Sequence, residues 1–240
     1  MENPPFVAIL ALWQRECQGL FHSLFMGYWL RQVLLAQAPS VQWYALALSF
    51  LSLLLKMKIL AISGSLRAAS LNTALLRAMQ AAAPAGVEVQ LCSLHELPFF
   101  NEDLEAGGTW PSAVENLRQK VRAADALLVS TPEYNSGIPG VLKNAFDWLS
   151  RTNEHNPSVL MNKPMALVGA TMGSFGTAIA QASALPMIRA LGLQLWAGQR
   201  LALPQAHLLF NAQGELIDEA TRTMLQLYMA GWVDSIAKRV

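Results

Sequence analysis

Lys58-Ile59-Leu60-Ala61-Ile62-Ser63-Gly64-Ser65-Leu66-Arg67-Ala68-Ala69-Ser70-Leu71-Asn72-Thr73, residues 58–73, is the stretch that decides the fold. Ile59–Ile62 is a short, unbroken apolar run closed by Gly64. A run of that length without alternation reads as a strand buried on both faces. A polar loop follows, and then Leu71–Ala83, rich in Ala and Leu and stopped by Pro84, which reads as a helix. Strand, polar loop and helix in this order open a βαβ unit.

The pattern repeats downstream. Val87–Leu94 alternates and predicts a second strand. Ser112–Ala123 is helical by composition. Ala126–Thr131 is a third buried strand, stopped by Pro132. Ile138–Leu149 carries apolar residues at the helical period, with Pro139 suited to a first turn. Met165–Ala170, Gly176–Leu191, Gln194–Leu203 and Asp218–Lys238 predict a fourth strand, an apolar helix, a fifth strand and a closing amphipathic helix. Five strands alternating with five helices predict an α/β, doubly wound parallel sheet of order 2-1-3-4-5. Ligands bind such sheets at the C-terminal ends of strands 1 and 3, where the winding reverses.

Residues 1–56 are a different kind of sequence. Their charged residues are Glu2, Arg15, Glu16, Arg31 and Lys56, and they hold Trp13, Trp29 and Trp43. The apolar runs Phe6–Trp13 and Trp43–Leu55 each fall short of the roughly 20 residues of a membrane span. The n-region is not basic and no small-x-small cleavage site follows Leu55, which argues against a signal peptide. Three readings stand: a membrane-associated extension, a packing helical pair, or an upstream artefact with the chain starting at Met57. The third is the expectation, because Met57-Lys58-Ile59-Leu60 leads directly into the first strand. The domain is then 57–240, with 1–56 as an apolar extension outside it and membrane contact only if 1–56 is expressed.

The 240-residue chain carries 17 Lys and Arg against 16 Asp and Glu, a net charge of +1, with mean hydropathy +0.31. That balance excludes the basic patch of a nucleic-acid binder and the charge-driven disorder of an acidic tail. Cys17 and Cys92 supply no disulfide framework. His22, His95, His155 and His207 lack ligand spacing, so no metal site is expected. The expected location is the cytoplasm.

The chemistry is carried by three loops at one end of the sheet. Gly64–Thr73 gathers hydroxyls, an amide and Arg67 at a helix N-terminus, the parts of a phosphate cradle. The alternative is a polar turn with Ser70 or Asn72 as an ordinary N-cap. No Gly-Lys-Ser/Thr ends the loop and no G-x-G-x-x-G follows the strand, so neither an NTPase nor a Rossmann dehydrogenase is supported. Thr131–Gly140, with two prolines and two glycines, presents Tyr134 and Asn135 to a planar heterocycle, or is a rigid structural turn. Thr171–Thr177 is a third polar loop or a flexible connector. Glu133 reads as a loop carboxylate, and Phe146 and Trp148 as core or interface aromatics.

Two motifs carry a family resemblance: Gly64-Ser65-Leu66-Arg67-x-x-Ser70-x-Asn72, and Pro132-Glu133-Tyr134-Asn135-x-x-x-Pro139-Gly140-x-Leu142-Lys143-Asn144-Ala145-x-Asp147-Trp148. Leu97-Pro98-Phe99-Phe100-Asn101-Glu102-Asp103-Leu104 adds an acidic loop after strand 2. On these residues, 57–240 resembles the NADPH-dependent FMN reductases, flavodoxin-like quinone and azo reductases. The resemblance implies that Ser65, Arg67, Ser70, Asn72 and Thr73, with Leu71 at the same helix start, hold an FMN phosphate. It implies that Pro132, Glu133, Tyr134 and Asn135 hold the ribityl chain and ring. The strand-4 loop, with Thr171, Gly173 and Ser174, closes the far side. The sequence departs at Gly176-Thr177, where many relatives carry Gly-Gly.

The implied activity passes two electrons from NADPH or NADH through FMN to a small-molecule acceptor such as a quinone or azo compound. One face used twice predicts ping-pong order, and a homodimer or homotetramer is implied. The alternatives are a flavodoxin-type electron carrier, against which the near-neutral charge argues, and a scaffold protein whose working part is residues 1–56.

Overall fold

A computed structural model describes residues 56–153 and 157–238; the apolar runs expected to form an extension, in residues 1–55, lie outside them. Six strands and five α-helices follow in order: β1 (Met57–Ser63), α1 (Leu71–Ala81), β2 (Val87–Cys92), α2 (Ser112–Ala123), β3 (Ala126–Ser130), α3 (Gly140–Ser150), β4 (Pro164–Ala170), α4 (Ala178–Ala190), β5 (Gln194–Leu195), β6 (Leu201–Leu203) and α5 (Glu219–Ala237). Short 3₁₀ turns lie at Glu102–Gly108 and Ala206–Leu208. The sheet runs β2-β1-β3-β4-β5 with every pair parallel, and β6 also pairs with β4. This is the flavodoxin-like order expected from the strand and helix pattern.

The apolar runs sort themselves by strand alternation. Ile59 and Ala61 of β1 face one layer, with Leu75, Leu76 and Met79 of α1 and Leu225, Met229 and Trp232 of α5. Leu60 and Ile62 face the other, with Leu117 and Val121 of α2, Leu142, Phe146 and Leu149 of α3, and Ile188 of α4. Each such side chain contributes about 1.5–3 kcal/mol by leaving water. β1 is covered on both sides, which is why it reads as continuous rather than alternating.

Several boundaries differ from the sequence reading, three of them for a local reason. The fifth strand is not continuous. It pairs with β4 at Gln194–Leu195, leaves the ladder after the Trp196 N–H bond to the Met165 carbonyl (2.8 Å), and rejoins β4 at Leu201. Trp196 turns instead onto Tyr228 of α5, ring centroids 4.8 Å apart and edge-on, with Gly198 under the indole. Helix α3 starts at Gly140 rather than Ile138, because a residue before proline is pushed out of the helical region and Pro139 itself is extended (ψ 149°). Helix α4 starts at Ala178 because Gly176 is left-handed (φ 67°). Helix α1 ends at Ala81, short of Pro84.

Phe146 and Trp148 are core residues, 2% and 0% exposed. Arg118 is a fully buried cation that the sequence did not flag. It stacks 3.9 Å over the Trp110 ring and donates to the Leu149 carbonyl at 3.1 Å, where the negative end of α3 compensates its charge. Burial pulls its pKa below the usual arginine range.

Candidate active site

All three polar loops leave the C-terminal ends of their strands, and the switch point lies between β1 and β3. The post-β1 loop enters α1 through Ser70, whose side chain accepts the Thr73 N–H at 3.2 Å. Ser70 is therefore the N-cap. The first amides of a helix have no partner within it. Those of Leu71 and Asn72 remain at the cleft, where the helix dipole favours an anion. Gly64 anchors the loop by donating to the Ser130 carbonyl at 2.8 Å. Arg67 is exposed and donates to the Ala69 carbonyl at 2.6 Å, folding back along its own loop.

Asn72 is a strut. Its Nδ2 donates to the Ala170 carbonyl (2.9 Å), and its Oδ1 accepts the Ala170 N–H (3.0 Å) and the Ser130 hydroxyl (2.8 Å). The side chain is buried and mimics a backbone ladder pair, tying α1 to the ends of β3 and β4. What Asn72 offers the cleft is its backbone N–H. Thr73 is turned to Ser63, the hydroxyls 2.9 Å apart.

The post-β3 loop holds a two-residue reversal. Tyr134 and Gly137 exchange both backbone hydrogen bonds (3.1 and 3.0 Å), and Asn135 (φ 51°) and Ser136 (φ 62°) are both left-handed. This is the type I′ pattern, and it projects Tyr134 outward, 54% exposed. Glu133 reaches to the start of α4, where Oε2 accepts the N–H groups of Ile179 (3.0 Å) and Ala180 (2.9 Å). The post-β4 loop is held by the segment after β6: Gln205 N–H donates to the Gly173 carbonyl (2.9 Å) and Ala206 N–H to that of Thr171 (2.8 Å).

The acidic loop is pinned to α3. Asn144 Nδ2 and Trp148 Nε1 both donate to the Pro98 carbonyl at 2.9 Å, and Phe100 N–H donates to Asn144 Oδ1 at 2.7 Å. Arg151 grips Glu105 through two bonds (2.6 and 2.9 Å). The Asn-x-x-x-Trp part of the second motif is thus a clasp for a neighbouring loop. His95 joins the loops after β2 and β1: its ring lies 2.6 Å from Ser93 Oγ and 2.9 Å from the Leu66 carbonyl oxygen.

A cleft of about 290 Å³ results. Ser65, Arg67, Ser70, Leu71, Asn72, Pro132, Glu133, Tyr134 and Thr171 line it, with Ala170 and Met172. Of the sequence candidates, Thr73, Asn135, Gly173 and Ser174 stand outside its lining. Met172, 59% exposed, was missed; its place between the candidates Thr171 and Gly173 was the only signal. Among the described residues, no group of three or more His, Cys, Asp or Glu is placed to hold a metal.

The family model described as NADPH-dependent FMN reductase matches residues 57–208. The chain belongs to that family. It is 43% identical over 169 residues to an NAD(P)H-dependent FMN reductase of Pseudomonas aeruginosa, covering 70% of this chain and 89% of that one. It is 35% identical over 180 residues to a 2-hydroxy-1,4-benzoquinone reductase of a Burkholderia species, covering 74% and 96%. Among solved structures, the flavoenzyme NAD(P)H:(acceptor) oxidoreductase FerB of Paracoccus denitrificans superposes with a TM-score of 0.68 at 33% identity, over 76% of this chain and 98% of that one. This member of the FMN reductase family is an oxidoreductase that works with FMN and NAD(P)H.

The cleft suits such a cofactor on its own chemistry. One helix N-terminus with two unspent amides, hydroxyls at Ser65 and Ser70 and one guanidinium at Arg67 match a single phosphate. An exposed aromatic and a thioether, Tyr134 and Met172, form an apolar wall beside it.

Proposed function

We propose that this protein is an FMN-dependent NAD(P)H reductase of small acceptors such as quinones and azo compounds, acting in ping-pong order. The observation that carries the reading is the α1 N-terminus opening on a cleft with an aromatic wall. Ser65, Arg67, Ser70 and the amides of Leu71 and Asn72 hold the phosphate. Pro132, Glu133 and Tyr134 shape the ring side, with Thr171 of the post-β4 loop; Asn135, Gly173 and Ser174 belong to the same two loops, outside the cleft lining. FMN, when bound, would supply the two-electron redox chemistry between the nicotinamide and the acceptor. The protein binds, orients and shields; Tyr134 and Met172 offer a flat apolar face to successive partners.

The reductase unit starts at Met57, since every motif residue and, among the described residues, every strand lies at or beyond it. Exposed Phe175 (90%), Met172 and Ile179 beside the cleft favour a homo-oligomer over a monomer. Location in the cytoplasm fits the use of NAD(P)H. Among the described residues, no helix is long and apolar enough to cross a membrane.

The test is the visible spectrum and extracted cofactor of the purified full chain, followed by anaerobic NADPH. FMN bands that bleach without a partner reductase support the reading. FAD in equal amount, or FMN that does not bleach, overturns it; the second outcome is that of an electron carrier. A chain started at Met57 should retain both properties, and loss of flavin there would move the boundary upstream.

A further inference from the structure

We infer that Glu133 is a positioning residue that locks the post-β3 and post-β4 walls of the cleft together by capping α4 from a different loop. The inference rests on the flavin reading above and assigns one of its residues a role other than ligand contact.

Helix α4 does not cap itself. Thr177 occupies its N-cap position and is a residue type suited to capping, yet its side chain makes no cap bond. Thr177 is fully buried, and its Oγ1 accepts from Gln181 Nε2 at 3.1 Å. Gln181 also donates to the Leu201 carbonyl at 2.8 Å. The local hydroxyl is thus committed to the interior. The Ile179 and Ala180 amides receive a carboxylate oxygen from 46 and 47 residues away instead.

The geometry makes the two walls interdependent. Glu133 lies between Pro132, whose ring fixes φ, and Tyr134, which opens the left-handed turn. Anchoring its carboxylate anchors Tyr134. The same bonds fix the first turn of α4, and through it Gly176, Phe175 and the loop back to Thr171. A charged acceptor at a helix N-terminus is among the stronger hydrogen-bonding arrangements. Both bonds run to the same oxygen, Oε2, so an amide oxygen at that point can accept them in the same geometry, without the charge.

The experiment compares full-length wild type, Glu133→Ala and Glu133→Gln. FMN affinity is read from quenching of flavin fluorescence well below the melting temperature. Amide exchange of Ile179 and Ala180 is read without flavin. Glu133→Ala should weaken FMN binding at least tenfold and speed exchange at both amides at least tenfold. Glu133→Gln keeps the acceptor geometry without the charge and should lose clearly less than Glu133→Ala on both. Should Glu133→Ala fail to fold, Glu133→Asp, one methylene too short to reach, carries the same expectation.

A merely structural cap predicts faster exchange and a lower melting temperature with FMN affinity unchanged, and that result overturns the inference. So does unchanged exchange, or a Gln variant as impaired as the Ala variant. Wild type that takes up no FMN at all overturns the flavin reading itself, a different outcome from FMN binding that is indifferent to position 133.

Discussion

Thr177 lies directly on Gly169: a β-carbon at position 169 would fall well inside van der Waals distance of Thr177 Oγ1 and of the Thr131 carbonyl oxygen. Thr177 therefore requires a glycine beneath it, in the strand that leads into its loop. Gly169→Ala should destabilise the fold by about 3 kcal/mol or more, because the Thr131 backbone cannot yield as a side chain does. Urea unfolding measures it. Adding Thr177→Gly should restore part of the loss but not all, since Thr131 remains; full restoration would show that the backbone contact is soft.

Asn72→Ala removes three hydrogen bonds at once and leaves the Ala170 N–H, its carbonyl and the Ser130 hydroxyl without partners in a buried place. Each unsatisfied group costs about 1–3 kcal/mol, so a loss of about 3 kcal/mol or more is expected in chemical denaturation. Asn72→Asp keeps the acceptor but sets a carboxylate oxygen against the Ala170 carbonyl, and should rescue nothing.

Ser136 holds a left-handed conformation without the freedom of glycine, in a turn type that prefers Asn-Gly. Ser136→Gly should stabilise by about 0.5–1 kcal/mol, raising the melting temperature by roughly 1–4 °C for a chain of this size. Unchanged or lower melting would mean that the gain is cancelled by the greater freedom of the unfolded glycine.

Tyr228 is buried and its hydroxyl has no hydrogen-bond partner among the described residues. Burial pushes its pKa up, so the folded state holds the proton more tightly than the unfolded chain. Its contribution is complete below the ordinary tyrosine range and is lost as pH climbs above about 10. Tyr228→Phe should leave stability at neutral pH unchanged or raised by up to about 1 kcal/mol. It should also flatten the decline in alkali. An equally steep decline in the variant would assign it to other groups.

The parts of this fold that were readable in the sequence are those written in consecutive residues. Ile59–Ile62, Ala126–Val129 and Met165–Val168 announce buried strands because both faces are covered. Pro84 and Pro132 mark ends, and Ser70 announces the start of α1. What was not readable is set by contacts between distant residues. Asn72 looks like a ligand donor until Ala170, 98 positions away, takes both halves of its amide. Glu133 looks like a free carboxylate until α4 is placed. Arg118 sits on an amphipathic helix like any surface cation, and only the carbonyl ends of α3 explain its burial. Trp196 breaks a strand because Tyr228 on the last helix offers it a ring.

The central strand also sets an order of events during synthesis. β1 is bonded to β2 on one side and β3 on the other, and at its start the Lys58 amide bonds the Asp125 carboxylate 67 residues on. No pair in the sheet is a local hairpin. At ribosomal rates of roughly 5–20 residues per second, β1 waits several seconds, apolar on both faces, for the strand that completes its burial. A segment almost wholly buried in the finished protein is thus exposed for seconds while it is being made. Chaperone demand and refolding yield at high protein concentration should respond most to residues 59–62.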